Sequence, residues 1–278
     1  MPIPPDRVEL VRDGASGIEA VRARFSGHAY DLHRHDDWLI GVTHRGVQDF
    51  FCRGARQRST AGRVILIEPQ EAHDGQAGAE GGFAYSMLYL PQAWLAAGLA
   101  DARGGDPGFA ATLGDDPALG QAILAACAAL PGPALARDAA LDAVLHRLRP
   151  HLGRPAGRGL AGRDARLARR ARERLQDAMA EEIGADALAR AAGAADRFQL
   201  ARAFRAEYGT APHAYLVQIR LVRARRLLAA GEAPAVVAAA CGFADQSHLG
   251  RWFRRAYGLT PGAYRRCCTG VPDIPRAG

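Results

Sequence analysis

The chain has 278 residues and a formal net charge of +7, and all 36 of its basic residues are arginine. No apolar run approaches the roughly 20 residues of a membrane-spanning helix, and the first residues (MPIPPDRVELVRDG) have neither the basic start nor the apolar core of a signal peptide. Residues 1–160 hold 16 Arg against 18 Asp and Glu, net −2, whereas 161–278 hold 20 against 11, net +9, so a two-domain chain with a basic C-terminal part is expected.

In chain order, residues 18–91 read as strands: 18–25, 29–35, 38–44, 47–52, 57–60, 64–68 and 83–90. Gly27, Gly46, Gly54, Gly62, Gly81 and Gly82 punctuate them. Short strands divided by glycine turns predict a barrel or jelly roll. His33 and His35 have the strand period of two, so both can point inward.

The spacing His33-Arg-His35, then Gly62, then Pro69-Gln-Glu-Ala-His73 resembles a cupin over about 75 residues. The resemblance implies a small-molecule sensing barrel. In cupins that hold metal, two His of one strand, a later His and a carboxylate converge. Here His73 is the third nitrogen and Asp36 or Asp37 a poor stand-in for the carboxylate, a set suited to Zn, Fe or Mn. The glycine expected shortly before His73 is absent. The reading adopted is a pocket for an organic effector with no cofactor and no metal, lined by Arg24, His33, His35, Trp38 and His73. Arg24 would either grip a carboxylate bidentately or face outward from its strand, and Trp38 would form a stacking wall.

Residues 101–116 are rich in Gly and Asp and read as loop, followed by helices over 117–130 and 136–148. These helices can cover one sheet of their own barrel. The segment 150–162 (PHLGRPAGRGLAG) reads as a linker. Five cysteines, odd in number and without metal-type spacing, point to a reduced, cytoplasmic protein.

The C-terminal part contains one unit written twice. Residues 192–215 and 241–264 are identical at 12 of 24 positions, including Asp196/Asp245, Phe204/Phe253, Gly209/Gly258 and Tyr215/Tyr264. Each copy predicts a helix with an Asp N-cap, a glycine at C′ and a proline opening the next helix. Leu200, Phe204 and Tyr208, or Leu249, Phe253 and Tyr257, form the apolar stripe. The opposite face carries Phe198, Ala201, Arg202 and Arg205, or Ser247, Gly250, Arg251 and Arg254. Short apolar helices at 186–192 and 234–241 precede each copy across Gly193 or Gly242. Two short helices, a glycine turn and a basic second helix predict a helix-turn-helix. Residues 212–229 predict a continuous connecting helix, about 27 Å long, against the roughly 34 Å repeat of one DNA turn.

Residues from about 163 to 266 resemble the DNA-binding domain of AraC/XylS-family transcription regulators. The likeness rests on Leu188-Ala189, the run RLVRARRLL from Arg220 to Leu228, GFADQSHL from Gly242 to Leu249, and YGLTPGAY from Tyr257 to Tyr264. The fold expected is therefore α+β in two domains, a cupin-like barrel or jelly roll followed by an all-α domain with two helix-turn-helix units. The boundaries are 1–100 for the effector domain, 101–162 for a helical dimerisation segment and linker, 163–268 for the DNA-binding domain and 269–278 for a tail. Double-stranded DNA and a small-molecule effector are the expected partners. The resemblance implies that the helices over 117–130 and 136–148 also pair between subunits, which can hold together with covering the sheet. A homodimer and contact with RNA polymerase are also expected, with no membrane and no catalytic residues. Expected DNA contacts are Arg197, Phe198, Gln199, Arg202, Arg205, Gln246, Ser247, Arg251 and Arg254. Gln199 and Gln246 would read base edges, Arg202 and Arg251 bases or phosphates, and Arg205 and Arg254 phosphates. The competing reading from another class is a metal-dependent cupin enzyme with a basic tail.

Overall fold

The structure, a computed structural model, describes residues 6–99, 108–153, 163–181 and 183–269. They divide into two compact units, one of sheet and helix and one of helices only.

The first unit contains β1 (Arg7–Arg12), β2 (Glu19–Phe25), β3 (His28–His33), β4 (Trp38–Cys52), β5 (Ala55–Thr60), β6 (Val64–Ile67), β7 (His73–Ala77), β8 (Phe83–Leu90) and β9 (Leu113–Gly114). One antiparallel sheet runs β1-β2-β8-β4-β6-β9, and β3, β7 and β5 join through the far half of β4. β4 merges the two strands predicted over 38–44 and 47–52. Its first half pairs with β8 and β6, its second with β5 and β7. Gly46, at φ +72 beside a register shift between Thr43 and Arg45, turns the chain without ending the strand. A Cβ there would lie 2.0 Å from the Gly82 carbonyl oxygen, so only glycine permits this bend.

Strand alternation sorts the apolar residues into two cores. Val21, Ala23, Phe25, Tyr30, Leu39, Phe50, Ile65, Tyr85 and Met87 fill the space between the sheets. Ala20, Trp38, Ile40, Val42, Val64, Leu66 and Leu88 face outward. There they are covered by helices α1 (Gln92–Gly98), α2 (Pro117–Ala129) and α3 (Ala134–Leu148), with Leu119, Ile123, Val144 and Leu148 fully buried against them. Strands buried on both faces read as unbroken apolar runs, as VILI in β6 does. The α2–α3 pair thus covers a sheet of its own barrel and shares its core. β1, β7, β9 and α1 were not expected. β7 (HDGQA) has poor strand propensity and forms because β3 and β4 supply its ladder partners. Of the predicted linker only 150–153 is described, with a 3₁₀ turn at Arg149–His151, and of the predicted tail only residue 269; the rest of both lies outside the described residues.

The second unit contains α4 (Arg163–Asp177), α5 (Ala185–Ala192), α6 (Arg197–Tyr208), α7 (Pro212–Ala229), α8 (Pro234–Ala240), α9 (Gln246–Tyr257) and α10 (Pro261–Thr269). α7 spans the residues that periodicity predicts, and Pro212, Pro234 and Pro261 each open a helix. Ala168, Ala171 and Leu175 of α4 pack with Leu188, Leu200, Phe204, Tyr215 and Ile219 in the core of the first repeat. No described helix is long and apolar enough to cross a membrane.

Candidate DNA interface and effector site

Each copy of the repeat builds a short helix, a left-handed glycine turn and a capped second helix. Gly193 at φ +78 ends α5 and Gly242 at φ +75 follows α8. The Asp196 carboxylate accepts the Gln199 backbone N–H at 2.7 Å, and Asp245 accepts that of His248 at 2.6 Å. Both carboxylates neutralise orphan donors at the positive end of a helix dipole. On the inner side, Phe204 meets Tyr215 at 5.4 Å between ring centroids, and Phe253 meets Tyr264 at 5.5 Å.

The outer faces are the ones predicted. Arg197, Phe198, Arg202 and Arg205 are exposed on α6, and Gln246, Ser247, Arg251 and Arg254 on α9. Phe198 is 59% exposed, a large value for an aromatic ring, and the Arg197 guanidinium lies 4.9 Å from its centroid. Two details differ from expectation. The Gln199 side-chain oxygen accepts the Ala195 N–H at 2.8 Å, so one of its two lone pairs is taken up in capping. The residue at the equivalent place in the second copy, His248, accepts the Trp252 indole N–H at 2.9 Å through Nε2, and its Nδ1 lies 3.4 Å from the Ala244 backbone nitrogen. The small residues at the centre of each face have open space beside them. A Cβ on Gly250 would meet nothing within 4 Å, which fits a face kept low for a partner. Ala201 borders a cavity of about 360 Å³ shared with Leu175, Ile183, Leu188 and Leu216.

Sequence matching singled out the run from Arg220 without giving it a role. Arg220 donates to the Met179 carbonyl at 2.7 Å and to the Glu181 carbonyl at 2.9 Å, satisfying groups just past the end of α4. The Arg225 guanidinium lies 5.4 Å from the centroid of the Tyr264 ring. These arginines brace the unit rather than face a ligand.

In the barrel, His33, His35 and His73 converge. All three are buried, and one ring nitrogen from each lies within 4.8 Å of the others. His33 and His73 are direct partners across the β3–β7 ladder, with centroids 4.5 Å apart. His33 Nδ1 lies 2.7 Å from the Asp31 carbonyl oxygen, and His73 Nδ1 lies 2.9 Å from that of Glu71. A carbonyl only accepts, so in both rings Nδ1 carries the proton and Nε2 the lone pair. Burial holds the His73 pKa down to about 4, so the ring is neutral near pH 7. His33 and His73 border a cavity of about 30 Å³, also lined by Tyr30, Gln48, Tyr85 and Met87.

The glycine missing before His73 is explained by Gln70, which adopts φ +65 itself. It follows Pro69 in a turn closed by Glu71 N–H to Glu68 oxygen at 3.2 Å, the geometry of a type II turn in which glycine is usual. Its own N–H donates to the His35 carbonyl at 2.7 Å, Arg34 donates to its carbonyl, and its amide donates to Asp36. The strained turn is held from three sides and still delivers His73 to the site.

Two predicted effector contacts lie elsewhere. Trp38 is on the outward face of β4 and packs on Phe109 at 5.0 Å, in the core beneath the helices. Arg24 shares the face of Ala20, opposite Val21, Ala23 and Phe25, so it too points away from the barrel interior. Strand register decides both, and a one-residue error in phase reverses every side chain.

The family of AraC-like ligand binding domains matches residues 16–148, and a helix-turn-helix domain family matches residues 188–267. The chain belongs to the AraC family of transcription regulators. It is an effector-regulated DNA-binding protein, with a ligand-binding barrel preceding its two helix-turn-helix units. The fold is similar to that of ToxT from Vibrio cholerae strain SCE256 in its unsaturated fatty acid-bound form, at 13% identity over 95% of this chain and 100% of that one, with a TM-score of 0.58. An apo, singly substituted form of the same ToxT gives 13% identity, 93% and 100% coverage and a TM-score of 0.57. An AraC-type regulator from Chromobacterium violaceum is 28% identical over 38% of this chain and 95% of its own, with a TM-score of 0.35. Comparison with curated proteins returns no match. Within this AraC-family chain, the buried thiols are inert core groups: burial pushes Cys52 and Cys127 up to about 12 and Cys241 to about 11.

Proposed function

We propose that α6 and α9 enter successive major grooves of one DNA duplex, with Arg202 and Arg251 at base edges or central phosphates and Arg205 and Arg254 on flanking phosphates. The observation that carries this is the repeated construction: two helices, each capped by an aspartate, each locked by a Phe–Tyr pair, each offering exposed arginines. Eighteen residues of α7 separate them, about 27 Å of rigid helix, which suits neighbouring turns of the same face. Arg197, Phe198, Gln246 and Ser247 stand at the start of the two helices, where residues of a recognition helix reach bases, with Gln199 next along α6.

The effector of this reading binds at the His33, His35 and His73 end of the barrel. With about 30 Å³ of space beside two of these rings, only an ion or a water-sized group fits without moving Tyr30, Tyr85 or Met87. The protein acts in the cytoplasm, as a homodimer able to touch RNA polymerase, and is not an enzyme. An effector shifts its DNA affinity only by binding one arrangement of the protein better than another.

Footprinting of the full chain on the DNA flanking its own gene tests the reading, with candidate ligands added, an unsaturated fatty acid among them because ToxT carries one. Two protected stretches one helical turn apart, changed in affinity by at least one ligand, are expected. Protection that spreads evenly with salt and shows no preferred site would refute it.

A further inference from the structure

We propose that the helical unit carries a second small-molecule site, separate from the barrel: a cleft beside α6 that binds a compact apolar body bearing one carboxylate.

The space is the first argument. A cavity of about 360 Å³ opens between α4, α5, α6 and the start of α7, walled by Leu175, Ile183, Leu188, Phe198, Leu200 and Leu216. Voids in a packed core rarely exceed a single water, whereas organic-ligand pockets begin near about 300 Å³. Water finds few hydrogen-bond partners on such walls, so an apolar occupant displaces it favourably. Phe198, exposed at the edge of the cleft, would be covered by that occupant.

Charge is the second. Arg197 borders the same cleft, with its guanidinium 4.9 Å from the centroid of the Phe198 ring, and its planar fork fits a carboxylate. Ala211, Pro212 and His213 bring the start of α7 to the cleft, and Ala211 at the N-cap offers no side-chain acceptor to the first turn. An anion there meets backbone N–H groups at the positive end of an 18-residue helix. One guanidinium and one helix end match a single negative charge.

The repeat supplies the third. Arg197, Phe198, Ala211, His213 and Leu216 stand where the second copy has Gln246, Ser247, Thr260, Gly262 and Arg265. In that copy the Thr260 hydroxyl accepts the Ala263 N–H at 3.2 Å, closing the helix end that Ala211 leaves open. The fold of the repeat therefore does not demand the residues that wall and charge the cleft, since the second copy forms without them.

The test titrates the full chain with 2-naphthoate and with its uncharged amide in a calorimeter. Naphthoate should bind at least tenfold more tightly than naphthamide. Ala211→Thr, which installs the cap of the second copy, should raise the melting temperature and weaken naphthoate at least tenfold. Ala201→Leu, which fills the cleft from α6, should abolish binding; should it fail to fold, Ala211→Thr still reads the site. No binding of naphthoate at millimolar concentration, equal affinity for acid and amide, or binding unchanged in a folded variant overturns the proposal. The cleft shares Arg197 and Phe198 with the side of α6 proposed to face DNA, so saturating naphthoate should weaken operator binding at least tenfold. That effect alone rests on the groove reading: naphthoate bound with operator affinity unchanged keeps the site and counts against the docking of α6.

Discussion

Phe204 on α6 sets its ring at 71° to that of Tyr215 on α7, 5.4 Å between centroids, and the repeat places Phe253 and Tyr264 at 5.5 Å with their rings tilted at 56°. Aromatic pairs at such distances add to area burial and fix the roll of one helix on the next. Phe204 and Phe253 are both fully buried, so Phe204→Ala or Phe253→Ala should cost about 3–5 kcal/mol. Chemical denaturation of the intact chain should show either variant losing its helical signal at lower denaturant, and a shift below about 1 kcal/mol would deny the pair this anchoring role.

Gly242 and Gly193 occupy matching turns, but their surroundings differ. A Cβ on Gly242 would lie 2.7 Å from the Ala180 carbonyl oxygen and 2.9 Å from the Arg220 guanidinium, whereas one on Gly193 meets nothing closer than 3.5 Å. Both sit at positive φ, which costs a non-glycine residue about 1–2 kcal/mol. Gly193→Ala should cost about that and Gly242→Ala measurably more, because it also disturbs the arginine that caps α4. Equal melting temperatures for the two variants would contradict this.

Gly250→Leu separates fold from function. Nothing lies within 4 Å of the added Cβ, and glycine within a helix is already about 1 kcal/mol worse than a good helix former. Thermal stability should hold or rise while affinity for operator DNA falls at least 100-fold. A variant that binds DNA normally would mean that this face of α9 does not enter a groove.

Arg251 and Arg254 are both exposed on that face. Arg251→Ala should cost about 1–3 kcal/mol and relax preference at one base pair, whereas Arg254→Ala should weaken all sequences alike and lower the salt slope by about 1. Binding measured on a panel of single-base operator variants at several salt concentrations distinguishes the two roles, and a uniform loss for Arg251→Ala would assign it to phosphate.

Asp116 caps α2 and also meets the His151 ring nitrogen at 2.9 Å. That hydrogen bond, followed by the Leu119 N–H, lowers its carboxyl pKa below the usual value. The folded state therefore favours the charged form, and this stabilisation is complete above the unfolded pKa of about 3.9 and is lost as the pH falls through the lower folded value. Asp116→Asn keeps the cap but not the charge, so it should cost about 0.5–1 kcal/mol at pH 7 and progressively less as the pH falls from about 4 towards about 2. Urea denaturation across that range checks the sign; a penalty that grows on acidification would reverse it.

By itself the sequence determined the helices of the two repeats, down to the ends of α7 and the caps of α6 and α9, but not α4. Those features depend on neighbours along the chain: an aspartate before a helix, a glycine after it, a proline opening the next, an apolar residue at each turn. The strand period pointed His33 and His35 inward, whereas only the resemblance to cupins implied that His73 joins them, and the structure shows Gln70 completing that turn in place of glycine. Tertiary structure alone decided which face of a strand meets which core. Strands covered on both sides carry no polar alternation to reveal their phase, so Arg24 and Trp38 could not be assigned to inside or outside from their own neighbourhood. β7, weak in propensity, and β4, bent at Gly46 where two strands were expected, exist because distant strands supply their hydrogen-bond partners, and that information is nonlocal.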